Sequence, residues 1–150
     1  MLRQILLGGA LSVVTIAIHA LTMLVIVHGG RTALAKRSDW PASHLVAVMV
    51  VTVAILMAAH VAEVVAWALA YAAVDVVPPG VDAAYFAFVN YTTLGYGDIV
   101  PVERWRLIGP ITALNGVLMI GWSTAVIFEV LRAAIRAFQG DAGPLSGVQP

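Results

Sequence analysis

The sequence contains no cysteine and little charge of either sign. Without cysteine there is no disulfide framework, no thiolate metal site and no thiol nucleophile, and the redox compartment stays open. Charged residues make up 11% of the 150 positions, well below what a water-soluble domain carries on its surface. Eight acids cancel eight bases, so no basic field points to nucleic acid as a partner. Repeats and low-complexity runs are missing as well. The chain is instead apolar: 61% of its residues are hydrophobic and its mean hydropathy is +0.96, values that belong to a membrane protein.

Three apolar runs, 5–27, 45–73 and 107–131, reach the roughly 20 residues a helix needs to cross a bilayer. The first outruns the roughly 7–15 apolar residues of a signal-peptide core, and no small-x-small cleavage site follows it cleanly, so it reads as a retained span. The fold class is therefore an all-α membrane protein, with 1–150 as one membrane domain and the lipid bilayer as its surroundings. Lys and Arg accumulate on the cytoplasmic side of membrane proteins. Arg31, Lys36 and Arg37 lie between the first two runs, and Arg132 and Arg136 follow the third. The other connection carries Asp75, Asp82, Asp98 and Glu103 against Arg104 and Arg106. This pattern places the N-terminus outside and the C-terminus in the cytoplasm, in a plasma or inner membrane. Trp67, Tyr71 and Trp105 are expected in an outer aromatic belt, with Trp40 near the inner one. The segment 140–150 (GDAGPLSGVQP) reads as a disordered tail.

The connection between the second and third runs is where the polar residues concentrate. Pro78-Pro79-Gly80 ends the second helix, because neither proline can continue it. Asp82 can then cap a short helix over 82–92, too short to span. TTLGYGD follows at 92–98, and Pro101 precedes the third run. The pattern is helix, half-helix, extended polar loop, helix. Non-helical backbone at membrane depth is tolerated only inside protein or facing water. One chain of three spans is too small to enclose such a loop, so several copies are required.

Thr92-Thr93-Leu94-Gly95-Tyr96-Gly97-Asp98 resembles the selectivity-filter signature of potassium channels, with Leu94 where valine is more usual. The resemblance covers roughly 45–132, as outer helix, pore helix, filter (93–97) and inner helix, and is nearest to small bacterial pore-only channels; the first span lies outside it. It implies a non-enzymatic, potassium-selective channel that conducts K+ passively, with no cofactor beyond the permeant ion. Potassium filters replace the ion's hydration shell with carbonyl oxygens. By resemblance those oxygens are the carbonyls of Thr93, Leu94, Gly95 and Tyr96 with the Thr93 hydroxyl, and Thr92, Gly97 and Asp98 belong to the same signature. The residue types suit the task, since Gly95 and Gly97 adopt φ > 0 without a Cβ penalty and so let neighbouring carbonyls face one axis. Leu94 and Tyr96 then point away from the ion, with Tyr85 and Phe86 as the expected partners of the Tyr96 ring. The half-helix C-terminus aims its partial negative charge at the same axis. One such strand cannot ring an ion and four can, so the resemblance implies a homotetramer.

Around this filter the sequence places further candidates. Asp98 would gather cations at the mouth, the alternative being that it merely ends the loop. Val89 stands where many relatives have an acid bonded to the Asp98 equivalent, so that link is absent. Gly116 falls at a hinge glycine by resemblance, or else permits close helix packing. From Gly116, helical spacing puts Val117, Ile120, Thr124 and Phe128 on one face, with Thr124 and Phe128 near an inner gate.

His60 and Glu63, spaced i, i+3 inside the second span, share a face and can touch. They read as a hydrogen-bonded packing pair, or more sharply as a proton-sensitive brace behind the filter. His19 is expected roughly 10 Å from the level of His60, too far to join them. His60 and Glu63 also have metal-ligand spacing, but two ligands make a weak case. Asn90-Tyr91-Thr92 matches a glycosylation sequon, placed on a half-helix where it carries no weight. Gly121-Trp122-Ser123-Thr124-Ala125 faintly resembles an intramembrane serine protease motif, without its second glycine. Rival functions are a nonselective cation pore and a rarely conducting K+-binding sensor or accessory subunit. The first span carries no arginine ladder, so voltage sensing is unsupported; shielding the pore from lipid or joining subunits are the roles left to it.

Overall fold

In the computed structural model, residues 1–34 and 42–140 are described. Lys36, Arg37, Trp40 and the tail beyond Gly140 lie outside them. Among the described residues four helices follow in order: α1 (Leu2–Leu34), α2 (Ala42–Ala73), the short α3 (Ala83–Tyr91) and α4 (Ile108–Gly140), with one 3₁₀ turn at Glu103–Trp105. The three long helices are long and apolar enough to cross a membrane, and the chain is a multi-pass, all-α membrane protein with α3 between its last two spans. Each long helix extends beyond the apolar run that announces it. Hydropathy marks only the lipid-crossing part, whereas the helical hydrogen-bond ladder continues into polar sequence such as the HGG that follows Val27.

α1 packs on α2 and α4, and α3 is held between α2 and α4. The core lies where α3 is gripped, and consists of Trp67 and Tyr71 of α2, Val76 beyond it, Phe86 and Tyr91 of α3, and Ile108 of α4. A smaller cluster of Met23, Ile26 and Leu56 joins α1 to α2, with Val126 and Val130 of α4 against it.

The outer aromatic belt expected from sequence is corrected here. Trp67 and Tyr71 are fully buried, not interfacial. The Trp67 indole donates to Asn115 Oδ1 at 3.2 Å, and the Tyr71 hydroxyl is bonded to Thr112. A buried ring with a polar tip needs such a partner, and the two supplied by α4 draw these side chains inward instead of to the headgroups. Trp105 is half-buried and donates to the Val74 carbonyl at 3.1 Å, tying the 3₁₀ turn to the end of α2.

Polar links also explain how α1 is held. Thr15 donates to Asn115 Oδ1 at 3.0 Å, and Gln4 Oε1 accepts from the Leu107 backbone at 2.7 Å. In lipid, where apolar side chains gain little by meeting one another, each such interhelical bond contributes about 0.6 kcal/mol, up to about 1.7. Gly8 allows a close approach as well, since a Cβ there would meet Ile111 at 2.7 Å.

Candidate ion pathway and the polar cluster behind it

Asp82 starts α3 in the predicted way, its carboxylate accepting from Ala84 N at 2.8 Å and Tyr85 N at 3.2 Å. The other end is closed by the chain that follows. Thr93 N donates to Asn90 O at 2.9 Å, Leu94 N to Val89 O at 2.9 Å, and Thr92 Oγ1 to Phe88 O at 2.8 Å. These bonds satisfy carbonyls a helix end would otherwise leave bare and fix where the strand 92–98 begins. Gly95 and Gly97 have φ of +55° and +75°. Thr93 is also left-handed, at +60°, a costly conformation for a β-branched residue and one the sequence did not announce. All of 92–98 is exposed in the single chain, Leu94 by 53% and Tyr96 by 69%, so no described residue of the chain covers the strand.

Within the single chain, Tyr85 and Phe86, the expected partners of Tyr96, make other contacts. Phe86 is buried against Tyr71, ring centroids 5.5 Å apart, on the core side of α3. Tyr85 donates through its hydroxyl to Asp98 Oδ2 at 2.7 Å. That bond to a carboxylate, ahead of the other influences, pushes the Tyr85 phenol above its ordinary pKa. Asp98 is thus held by α3 after all, by a phenol at the helix start instead of an acid at Val89, which is itself buried. α3 side chains point toward the helix N-terminus, so Tyr85 reaches back along the returning strand while Phe86, one residue on, turns inward.

Gly116 is where α3 meets α4: a Cβ there would collide with the Tyr91 carbonyl. Gly109 makes a similar approach to Asn90, whose Oδ1 would lie 2.7 Å from an added Cβ. Along α4, Val117, Ile120, Thr124 and Phe128 are all exposed in the single chain, Phe128 by 64%. They form one uncovered face.

His60 and Glu63 do meet, Nδ1 to Oε2 at 3.4 Å, but they do not meet alone. His19 of α1, expected at another depth, places Nδ1 2.7 Å from Glu63 Oε1, and both groups are fully buried. The reason is the length of α1. Counted from the ends that the chain connects, His19 lies 15 residues from Leu34 and His60 18 residues from Ala42, heights of about 22 and 27 Å at 1.5 Å per residue. The last turns of α1, beyond its apolar run, account for the difference. Side chains also lean toward their own helix N-terminus, so in this antiparallel pair His19 and Glu63 lean toward each other.

Two hydroxyls complete the cluster. Tyr91, the last residue of α3, donates to Glu63 and lies 2.8 Å from His60 Nδ1. Ser123 of α4 places Oγ 2.9 Å from His60 Nε2 and 3.3 Å from His19 Nε2. The links close a ring: Glu63, His19, Ser123, His60, Tyr91 and back to Glu63. Five side chains in their neutral forms supply one exchangeable proton each, and the ring has five links. One proton per link leaves no buried donor or acceptor stranded, the condition for polar groups at this depth. The sequence held the signal for His60 and Glu63 in their spacing. His19, Tyr91 and Ser123 come from three other helices and carried none.

Ser123, an imidazole and Glu63 also have the connectivity of a hydrolytic triad. Ser123 is buried in the middle of α4, however, where helical N–H groups are committed to carbonyls and leave no oxyanion donors beside it.

A family model described as ion channel matches residues 45–133, more than half of the chain. The chain belongs to that ion-channel family. The match takes in α2, α3, the 92–98 strand and α4 through residue 133, and begins after α1, whose bonds to α2 and α4 are therefore an addition to the family pore. No curated protein and no solved structure matches.

Proposed function

We propose that this ion channel is potassium-selective and works as a homotetramer, each chain contributing one 92–98 strand to a central filter. The observation that carries the reading is that strand: left-handed at Gly95 and Gly97, anchored to a capped half-helix, and uncovered on every residue. Backbone of this kind is stable at membrane depth only when enclosed, and copies of the same chain around an axis enclose it. Carbonyls of Thr93, Leu94, Gly95 and Tyr96 then stand in for the water a potassium ion sheds, and the weak, repeated coordination lets the ion leave as readily as it enters. The α3 C-terminus contributes its partial negative charge near that point. Asp98, pinned by Tyr85, concentrates cations at the mouth, and the uncovered face of Val117, Ile120, Thr124 and Phe128 lines the way to the cytoplasm. In this reading the N-terminus is outside and the C-terminus inside, the orientation that the distribution of basic residues supports.

Reconstituted liposomes loaded with KCl test the reading. Uptake of tracer rubidium that Gly97→Ala abolishes is the expected result; no uptake by protein shown to be folded and correctly inserted would refute it. The alanine must occupy a left-handed conformation costing about 1–2 kcal/mol.

A further inference from the structure

We propose that His19, His60 and Glu63 form a site for a divalent transition cation of the zinc class, inside the membrane and apart from the ion pathway. One ligand atom from each of the three lies within 4.8 Å of the others. Ligands around tetrahedral zinc at about 2.0–2.1 Å lie roughly 3.4 Å apart. His60 Nδ1 and Glu63 Oε2 already have that 3.4 Å separation, and His19 Nδ1 is 2.7 Å from Glu63 Oε1, so small rotations of the rings open the place for an ion. The donor set selects the class of metal. Two imidazoles and a carboxylate suit zinc, cobalt or nickel, whereas calcium and magnesium require six or more oxygens.

The surroundings are those of a ligand shell. Both Nε2 atoms converge on Ser123 Oγ, which can accept from both N–H groups once His60 takes that tautomer, leaving both Nδ1 lone pairs turned toward Glu63. A metal-bound histidine characteristically donates its second N–H in this way, which fixes the ring. Tyr91 Oη lies beside His60 Nδ1 and Glu63 and completes a fourth position. Coordination displaces the proton between His19 and Glu63 to solvent, and the carboxylate offsets one of the two charges brought in. Three of these ligands come from α1 and α2, so the ion clamps the added helix to the pore, and Tyr91 carries its presence to Thr92, where the 92–98 strand begins.

The site is tested by binding, so it stands or falls independently of conduction. Chelator-stripped full-length protein in detergent is titrated calorimetrically with ZnCl2, with CaCl2 as the hard-cation control. One zinc per chain is expected, with no calcium binding. His19→Gln, His60→Gln and Glu63→Gln should each weaken zinc binding at least tenfold, Ser123→Ala about tenfold, and His44→Gln, more than four turns away on α2, not at all. Wild-type protein loaded with CoCl2 should show the visible bands of tetrahedral nitrogen–oxygen coordination, a readout that needs no variant to fold. Absence of zinc binding, an octahedral cobalt spectrum, or binding undiminished in folded His19→Gln and His60→Gln would each overturn the proposal.

Discussion

Gly116 shows how one missing side chain decides a packing question. A hinge and a close approach are both reasons for glycine in α4, and the geometry supplies the second: the obstacle to a Cβ is the Tyr91 carbonyl, backbone that cannot swing aside. Alanine is the better helix former by about 1 kcal/mol, yet Gly116→Ala should lower the thermal midpoint of the purified protein, because overpacking costs about 1–3 kcal/mol. An unchanged or raised midpoint would leave only the hinge. Asp98 is the other informative residue. Asp98→Asn should reduce rubidium flux several-fold at low ionic strength and much less near 1 M salt, where charges are screened beyond about 3 Å. Equal reduction at both salts would assign Asp98 a structural role through its bond to Tyr85.

Among the helices, α1 is the one whose purpose the sequence left open. It is bonded to the pore at several levels, through Gln4, Thr15 and His19. Asn115 is the shared acceptor of Thr15 and Trp67, so Asn115→Leu strands the buried Trp67 indole N–H and leaves the Thr15 hydroxyl only the Leu11 and Ser12 carbonyls of its own helix. A loss of about 1–3 kcal/mol is expected, read as earlier heat-induced unfolding; no change would mean these bonds do not hold α1. At the far end of α4, Phe128→Ala should raise resting leak if its exposed ring narrows the inner opening, and an unaltered leak would take Phe128 out of the gate.

Local signals made these elements legible. The three spans follow from hydropathy, α3 from Asp82 and its distance to the next proline, and the turns of the strand from Gly95 and Gly97. The register between helices was not legible. Whether His19 meets Glu63 depends on where α1 ends, and helix continues past Val27 into residues that hydropathy scores as loop. The aromatic residues failed for a related reason: Trp67 and Tyr71 look interfacial by composition, and only the positions of Asn115 and Thr112 on a distant helix show why they turn inward.

The whole chain presents two kinds of uncovered apolar surface. Residues such as Leu21, Leu24 and Val50 on α1 and α2 suit lipid, while Leu94 and Tyr96 belong to a polar segment that lipid cannot solvate and Val117 to Phe128 form a further uncovered face on α4. In the proposed tetramer the second surface gains its cover and four 92–98 segments meet in one filter. Ion selectivity is the property that depends on all of this at once. It is read most directly from the reversal potential of reconstituted bilayers with potassium on one side and sodium on the other. The account predicts a current that reverses far toward the potassium equilibrium potential; a conducting protein whose current reverses at zero would contradict it.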